Sequence, residues 1–113
     1  MAKLKLPADL IEDLTQLFRL MADQTRLRIL LLLADGPKNV GELCKRLNLP
    51  QPTVSHHLGL LRMSKVILNR RNGKQVIYSV NDAALEALGK RFLAAATSGR
   101  KLTVGSFSFS AKS

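Results

Sequence analysis

Gln51, Thr53, Ser55 and His56 sit within one and a half helical turns of each other, and each can donate or accept hydrogen bonds. A glutamine amide can pair with adenine, while serine, threonine and histidine can donate to bases or to phosphate oxygens. Further along, Arg70, Arg71 and Lys74 bring three cations close together, suited to holding phosphates. Both groups lie between Leu43 and Asn81, 39 residues without one Asp or Glu. The bases there are at ordinary density: Lys45, Arg46, Arg62 and Lys65 complete the set. The signal is therefore the missing carboxylates, since nothing in the segment repels a polyanion. The chemistry implied is recognition. An enzyme is not expected, because the chain has no glycine-rich phosphate loop, no metal cluster and no nucleophile beside a base.

The segment QPTVSHHLGLLR, Gln51 to about Met63, reads as the helix that carries the first group. At about 100° per residue, Val54, Leu58 and Leu61 share one side and face the core, with Pro52, His56, Gly59 and Met63 opposite and Thr53 and Ser55 on the flanks. His57 falls on the core side and is expected to be packed and hydrogen-bonded. His56 and His57 point about 100° apart, a poor arrangement for chelation. Gly59 in mid-helix costs about 1 kcal/mol against alanine, a cost that close approach to a DNA backbone or to a neighbouring helix would explain. A short helix at about Val40 to Leu47 and a turn at Asn48-Leu49-Pro50 come before it. That pairing is the one that lays a second helix in the major groove.

After Ser64-Lys65 the residues become β-branched and aromatic, VILNRR and KQVIYSV, joined by Asn72-Gly73. That dipeptide suits a two-residue type I′ turn. The expected register sets Arg71 opposite Lys74, Arg70 opposite Gln75, Leu68 opposite Ile77 and Ile67 opposite Tyr78, with an apolar base and a cationic tip. Such cations also protect sheet edges from aggregation; their coincidence with the helix pair in an acid-free segment favours a DNA clamp.

Upstream, Pro7 and an acidic first turn start a helix with Leu10, Leu14, Leu17, Phe18 and Met21 on one stripe. Asp23 caps a second helix, TRLRILLLLA, ended by Asp35-Gly36-Pro37, whose run of leucines makes it the expected buried central helix. Downstream, AALEALGKRFLAAA carries Leu85, Leu88, Phe92 and Ala96 on one face. One domain is expected over residues 1–98, with residues 99–113 an aperiodic, flexible basic tail. The fold class is mainly α with a small β-hairpin.

Eighteen Lys and Arg against eight Asp and Glu give a net charge of +10, which favours nucleic acid first and an anionic membrane second. Outside the first and last helices, no basic amphipathic helix with exposed large apolar residues supports the membrane. The longest aliphatic run, Ile29 to Ala34, is too short to span one, and the N-terminus lacks a signal-peptide core, so a cytoplasmic protein is expected. Cys44 is the lone cysteine, which excludes an intrachain disulfide. The absence of Trp and scarcity of other aromatics weigh against single-strand binding by base stacking.

From about residue 10 to 96 the chain resembles the ArsR/SmtB family of bacterial winged-helix repressors. The marks are D-x-TRLRIL at Asp23 to Leu30, GEL at Gly41 to Leu43, QPTVSHHL at Gln51 to Leu58 and IYSV at Ile77 to Val80. The resemblance implies a winged helix-turn-helix and a homodimer joined through the first and last helices, by Leu10, Leu14, Leu17, Phe18, Leu85, Leu88 and Phe92. It also implies double-stranded DNA as the partner, with Gln51, Ser55 and His56 in the groove and the wing arginines on the flanking backbone. The chain departs from the family at Ser64-Lys65-Val66, where many members have glycine, and at Pro50, where a serine cap is usual.

The family's two best-known metal sites do not map onto this chain. Its Cys-x-Cys pair falls on Asn39 and Gly41; in the other site Asp82 matches, but the remaining positions are Ala84, Ala95 and Ser98. One carboxylate cannot hold zinc. No metal or other cofactor is expected, and Cys44 reads as a core thiol. The competing function is a winged helix used for protein docking or for architectural, weakly specific DNA binding.

Overall fold

Asp23, Asn39 and Pro50 each stand immediately before a helix in the computed structural model, which describes residues 7–97, 101–104 and 107–110. The order is α1 (Ala8–Met21), α2 (Gln24–Ala34), β1 (Lys38–Asn39), α3 (Val40–Leu47), α4 (Gln51–Met63), β2 (Ile67–Asn72), β3 (Gln75–Val80), α5 (Asp82–Thr97), β4 (Lys101–Val104) and β5 (Phe107–Ser110). Packing divides the chain into two units, residues 16–82 and residues 1–15 with 83–113.

The unit of residues 16–82 is a winged helix-turn-helix. α4 packs against α2, α3 and β2, and its Val54, Leu58 and Leu61 are fully buried, as the helical spacing requires. Ile29, Leu33, Leu43, Val66 and Ile67 complete this core. Local chemistry fixes the helix ends. Asp23 Oδ2 accepts from the Arg26 amide at 2.9 Å. Asn39 and Glu42 form a capping box at α3, with bonds of 2.9 and 3.1 Å. Asn48 takes the left-handed conformation at φ 55° where α3 turns into α4.

The expectation for α2 is corrected. Only Ile29 and Leu33 are buried; Leu27 is 42% and Leu31 62% exposed. α2 packs on α3, α4 and β3, which cover one side of it and leave the opposite leucines open.

The sheet has order β1-β3-β2, antiparallel throughout. β1 pairs Lys38 with Tyr78 and Asn39 with Ile77, and a two-residue strand has no periodicity to announce it. Lys38 is the only buried charged residue among the described residues, at 6% exposure. Its Nζ donates to the Leu32 and Gly36 carbonyls at 2.9 and 3.1 Å, closing the C-terminus of α2 with a positive charge. Lys38→Met is expected to cost about 2 kcal/mol, the range for bonds to a charged donor. Urea unfolding should show a lower midpoint with an unchanged slope.

The hairpin register also differs from expectation. Asn72 pairs with Gln75, Arg71 with Val76, Arg70 with Ile77, Leu68 with Ser79 and Ile67 with Val80. The turn residues are Gly73 and Lys74, not Asn72 and Gly73. Gly73 has φ 67° and Lys74 does not have positive φ, the pattern of a type II′ turn, which wants glycine first. Asn72 therefore stays in the strand.

Just before the wing, Lys65 has φ 60°. This is the region where the resemblance notes a missing glycine, and the backbone keeps the conformation that glycine would take freely. Asn81 braces it, its Nδ2 donating to the Lys65 carbonyl and its amide to that of Val66, both at 2.9 Å. Lys65→Gly is expected to raise stability by about 1 kcal/mol, relieving a left-handed side chain. Thermal unfolding should show a higher midpoint.

In the other unit, Leu10 and Leu14 of α1 are buried, and Arg91 of α5 bonds the Asp9 carboxylate at 3.0 Å with Asp13 at 4.0 Å. The Arg91 guanidinium holds the Asp9 carboxyl below its ordinary value of 3.8. This contribution to stability is present above that value and lost as pH falls through the lowered pKa. Residues 101–104 and 107–110, expected as aperiodic tail, pair as strands: Leu102 opposite Phe109 and Val104 opposite Phe107. The alternation in LTV and FSFS is the signal that the aperiodic reading passes over. The rest of the expected tail (99–100, 105–106, 111–113), like residues 1–6 and 98, lies outside the described residues.

Candidate nucleic-acid interface

The core spacing of α4 decides what its outer side presents. With Val54, Leu58 and Leu61 turned inward, Gln51, Ser55 and His56 are exposed and Thr53 and His57 are half-buried. A Cβ built at Gly59 meets nothing within 4 Å, so no neighbouring helix among the described residues explains that glycine. Pro50 makes no side-chain bond at the start of α4, which leaves the first-turn amides without a capping side chain.

Arg70, Arg71 and Lys74 are all exposed and, among the described residues, form no ion pair. Strand alternation separates them. Arg71 is opposite Val76 and so shares its face, together with Tyr78 and the buried Ile67; Arg70 is opposite Ile77 on the other face, with the half-exposed Leu68. The two arginines therefore leave the wing on opposite faces.

A cleft of about 450 Å³ runs between the start of α4 and the wing. Gln51 and Ser55 line it from the helix, Lys74 from the turn, and Gln75, Val76 and Tyr78 from β3, with Asn39 at the α3 end. The structure thus brings together Gln51, Ser55 and Lys74. Thr53, His56, Arg70 and Arg71 lie outside this lining. Tyr78 was not singled out from sequence, although period two places it on the face of Val76 and Arg71. Glu42, the acid nearest in sequence, has one carboxylate oxygen bonded to the Asn39 amide.

Cys44 is half-buried, and among the described residues no three of His, Cys, Asp or Glu are placed to hold a metal ion. No helix of the described residues is long and apolar enough to cross a membrane.

Residues 23–64, from the α2 cap to the end of α4, match the family described as "Bacterial regulatory protein, arsR family". The HTH-type transcriptional regulator KmtR of Mycobacterium tuberculosis is 36% identical over 83 residues, 74% of this chain and 64% of that protein. The arsenical resistance operon repressor of Escherichia coli is 48% identical over 67 residues, 58% of this chain and 57% of that protein. This chain therefore spans less than two thirds of either relative. Among solved structures, HlyU from Vibrio cholerae superposes with a TM-score of 0.67 at 32% identity, covering 73% of this chain and 89% of that one. The family match, the relatives and the shared winged fold converge: the chain belongs to the arsR family of bacterial regulatory proteins.

Proposed function

We propose that this chain represses transcription as a cytoplasmic homodimer bound to an imperfect palindrome in double-stranded DNA. Gln51, Thr53, Ser55 and His56 read the major groove, and Arg70, Arg71 and Lys74 hold the backbone, with Lys74 in the cleft beside the reading helix and Arg71 on the strand face of Val76. The observation that carries this is the cleft that joins Gln51 and Ser55 to Lys74 inside the acid-free segment. A phosphodiester strand entering it meets donors from both the helix and the wing.

Selection of bound sequences from random DNA tests the reading. Two half-sites related by a dyad, with centres about 34 Å apart, are expected. The preference over random DNA should reach at least about 10³. With about four phosphate contacts per subunit, log K should fall against log salt with a slope near −7. Binding without a preferred sequence would instead support the architectural module.

Dimerisation rests on the first and last helices. Leu10 and Leu14 are buried within one chain, whereas Phe18 is 59% exposed and Ile11, on its side of α1, is also exposed. Leu17, Leu85, Leu88 and Phe92 are half-buried. The α1 part of the interface therefore centres on the Ile11 and Phe18 side, and Leu85, Leu88 and Phe92 are the α5 residues expected to contribute.

DNA release does not respond to zinc or arsenite in this reading, since Asn39, Gly41 and Ala84 stand where ligands are needed and Cys44 is a lone thiol. Adding either ion should leave operator affinity unchanged; a tenfold loss (about 1.4 kcal/mol) on either addition refutes it.

A further inference from the structure

α4 begins without a side-chain cap, and Val54, Leu58 and Leu61 hold it by apolar contacts that have no direction. One directional tie reaches its core side. Arg26, in the first turn of α2, donates from Nε to the Leu20 carbonyl at 2.8 Å, in the last turn of α1. Its terminal nitrogen lies 3.2 Å from Nδ1 of His57. The guanidinium fork thus spans from the end of α1 to the middle of α4.

A guanidinium is always protonated and only donates, so His57 Nδ1 must be the acceptor, with the imidazole proton on Nε2. The other groups facing His57 agree. Asp23 Oδ2 is 3.8 Å from Nδ1, too far for a hydrogen bond, and is engaged by the Arg26 amide at 2.9 Å. The His56 ring meets that of His57 edge-on at 5.4 Å between centroids. His57 is 15% exposed at its side chain, while its neighbour His56 lies on the outer side of the helix. Fixing one residue of a helix fixes the direction of all its neighbours at about 100° per step.

We propose, on the DNA-binding reading above, that Arg26 is a positioning residue for sequence recognition: through neutral Nδ1 of His57 it sets the roll of α4, and hence the direction in which Gln51, Ser55 and His56 face the bases. It touches no DNA itself. Its effect falls on discrimination between sequences, not on the phosphate grip that random DNA shares.

Two measurements on the full chain test this. Imidazole ¹⁵N spectra of the free protein at pH 7.5 should show His57 as the Nε2–H tautomer with an unprotonated Nδ1, a signature that Arg26→Lys removes. Lysine keeps the charge but lacks the planar fork whose Nε and terminal nitrogen reach the two acceptors separately. On the selected operator, Arg26→Lys and His57→Leu should each weaken binding about tenfold while leaving random-DNA affinity within about twofold, and the double variant should be no worse than either, because both cut one tie. His57→Asn should recover most of the loss, its amide oxygen replacing Nδ1 as acceptor. An Nδ1–H tautomer in the unmutated chain overturns the proposal, as do losses that multiply, losses shared equally by random DNA, or an asparagine no better than leucine. The tautomer is read without DNA, so an absent tie overturns this proposal alone, whereas a chain with no preferred sequence overturns the DNA reading with it.

Discussion

Replacing Arg71 and Lys74 together by alanine is expected to weaken binding to every DNA sequence by about 10²-fold at low salt and to flatten the salt dependence. Two phosphate contacts per subunit become four in a dimer, and each releases about 0.9 of a counterion, so the slope should move from near −7 to near −3.5. The pair is chosen by geometry: Lys74 lines the cleft beside Gln51 and Ser55, and Arg71 shares its strand face with Val76 and Tyr78. Arg70 lies on the opposite face, and Arg70→Ala alone should have a clearly smaller effect. Gln51→Ala makes the contrast, relaxing sequence preference while the slope stays near −7. Titrations at several salt concentrations separate the cases; a double variant with an unchanged slope would mean that no phosphate occupies the cleft.

These distinctions were only partly visible beforehand, for physical reasons. Interactions between residues close in sequence read well: proline and asparagine bound α3 and α4, and three- and four-residue spacing picks out Val54, Leu58 and Leu61 as core. Charge composition marked the segment proposed to meet DNA, because the lack of carboxylates between Leu43 and Asn81 holds however the segment folds. Register did not read. An Asn-Gly pair favours one turn type, but Gly73 supplies the positive φ of another and moves every partner by two residues, leaving the faces intact but taking Lys74 out of the strand and into the turn. Long-range polar contacts were also hidden. His57 was expected to be hydrogen-bonded, yet its donor lies 31 residues away, and Lys38 looks like an ordinary turn lysine until β1 carries it beneath the end of α2. The exposed leucines of α2 show the converse: an apolar run reports what could be buried, while the packed neighbours decide what is.

If the chain pairs through α1 as proposed, Phe18→Glu is expected to leave it folded, make it monomeric and lower operator affinity by about 10³-fold. At 59% exposure the new carboxylate keeps its water in a single chain, so the fold bears little of the cost. In a two-fold interface the same patch is used by both subunits, so one substitution places two carboxylates in it, each losing its water against an apolar partner surface. A monomer then has only one half-site, and the advantage of linking two reading helices, typically 10² to 10⁴, disappears. Because Gln51, Ser55 and Lys74 are untouched, weak binding to an isolated half-site should survive, as it would not if the variant were unfolded. Phe18→Leu keeps an apolar side chain and should remain dimeric. Sedimentation gives the mass and titration on full and half operators gives the affinities. A dimeric Phe18→Glu chain would place the interface away from this side of α1, and full operator affinity in a monomeric chain would show that pairing is not what DNA binding requires.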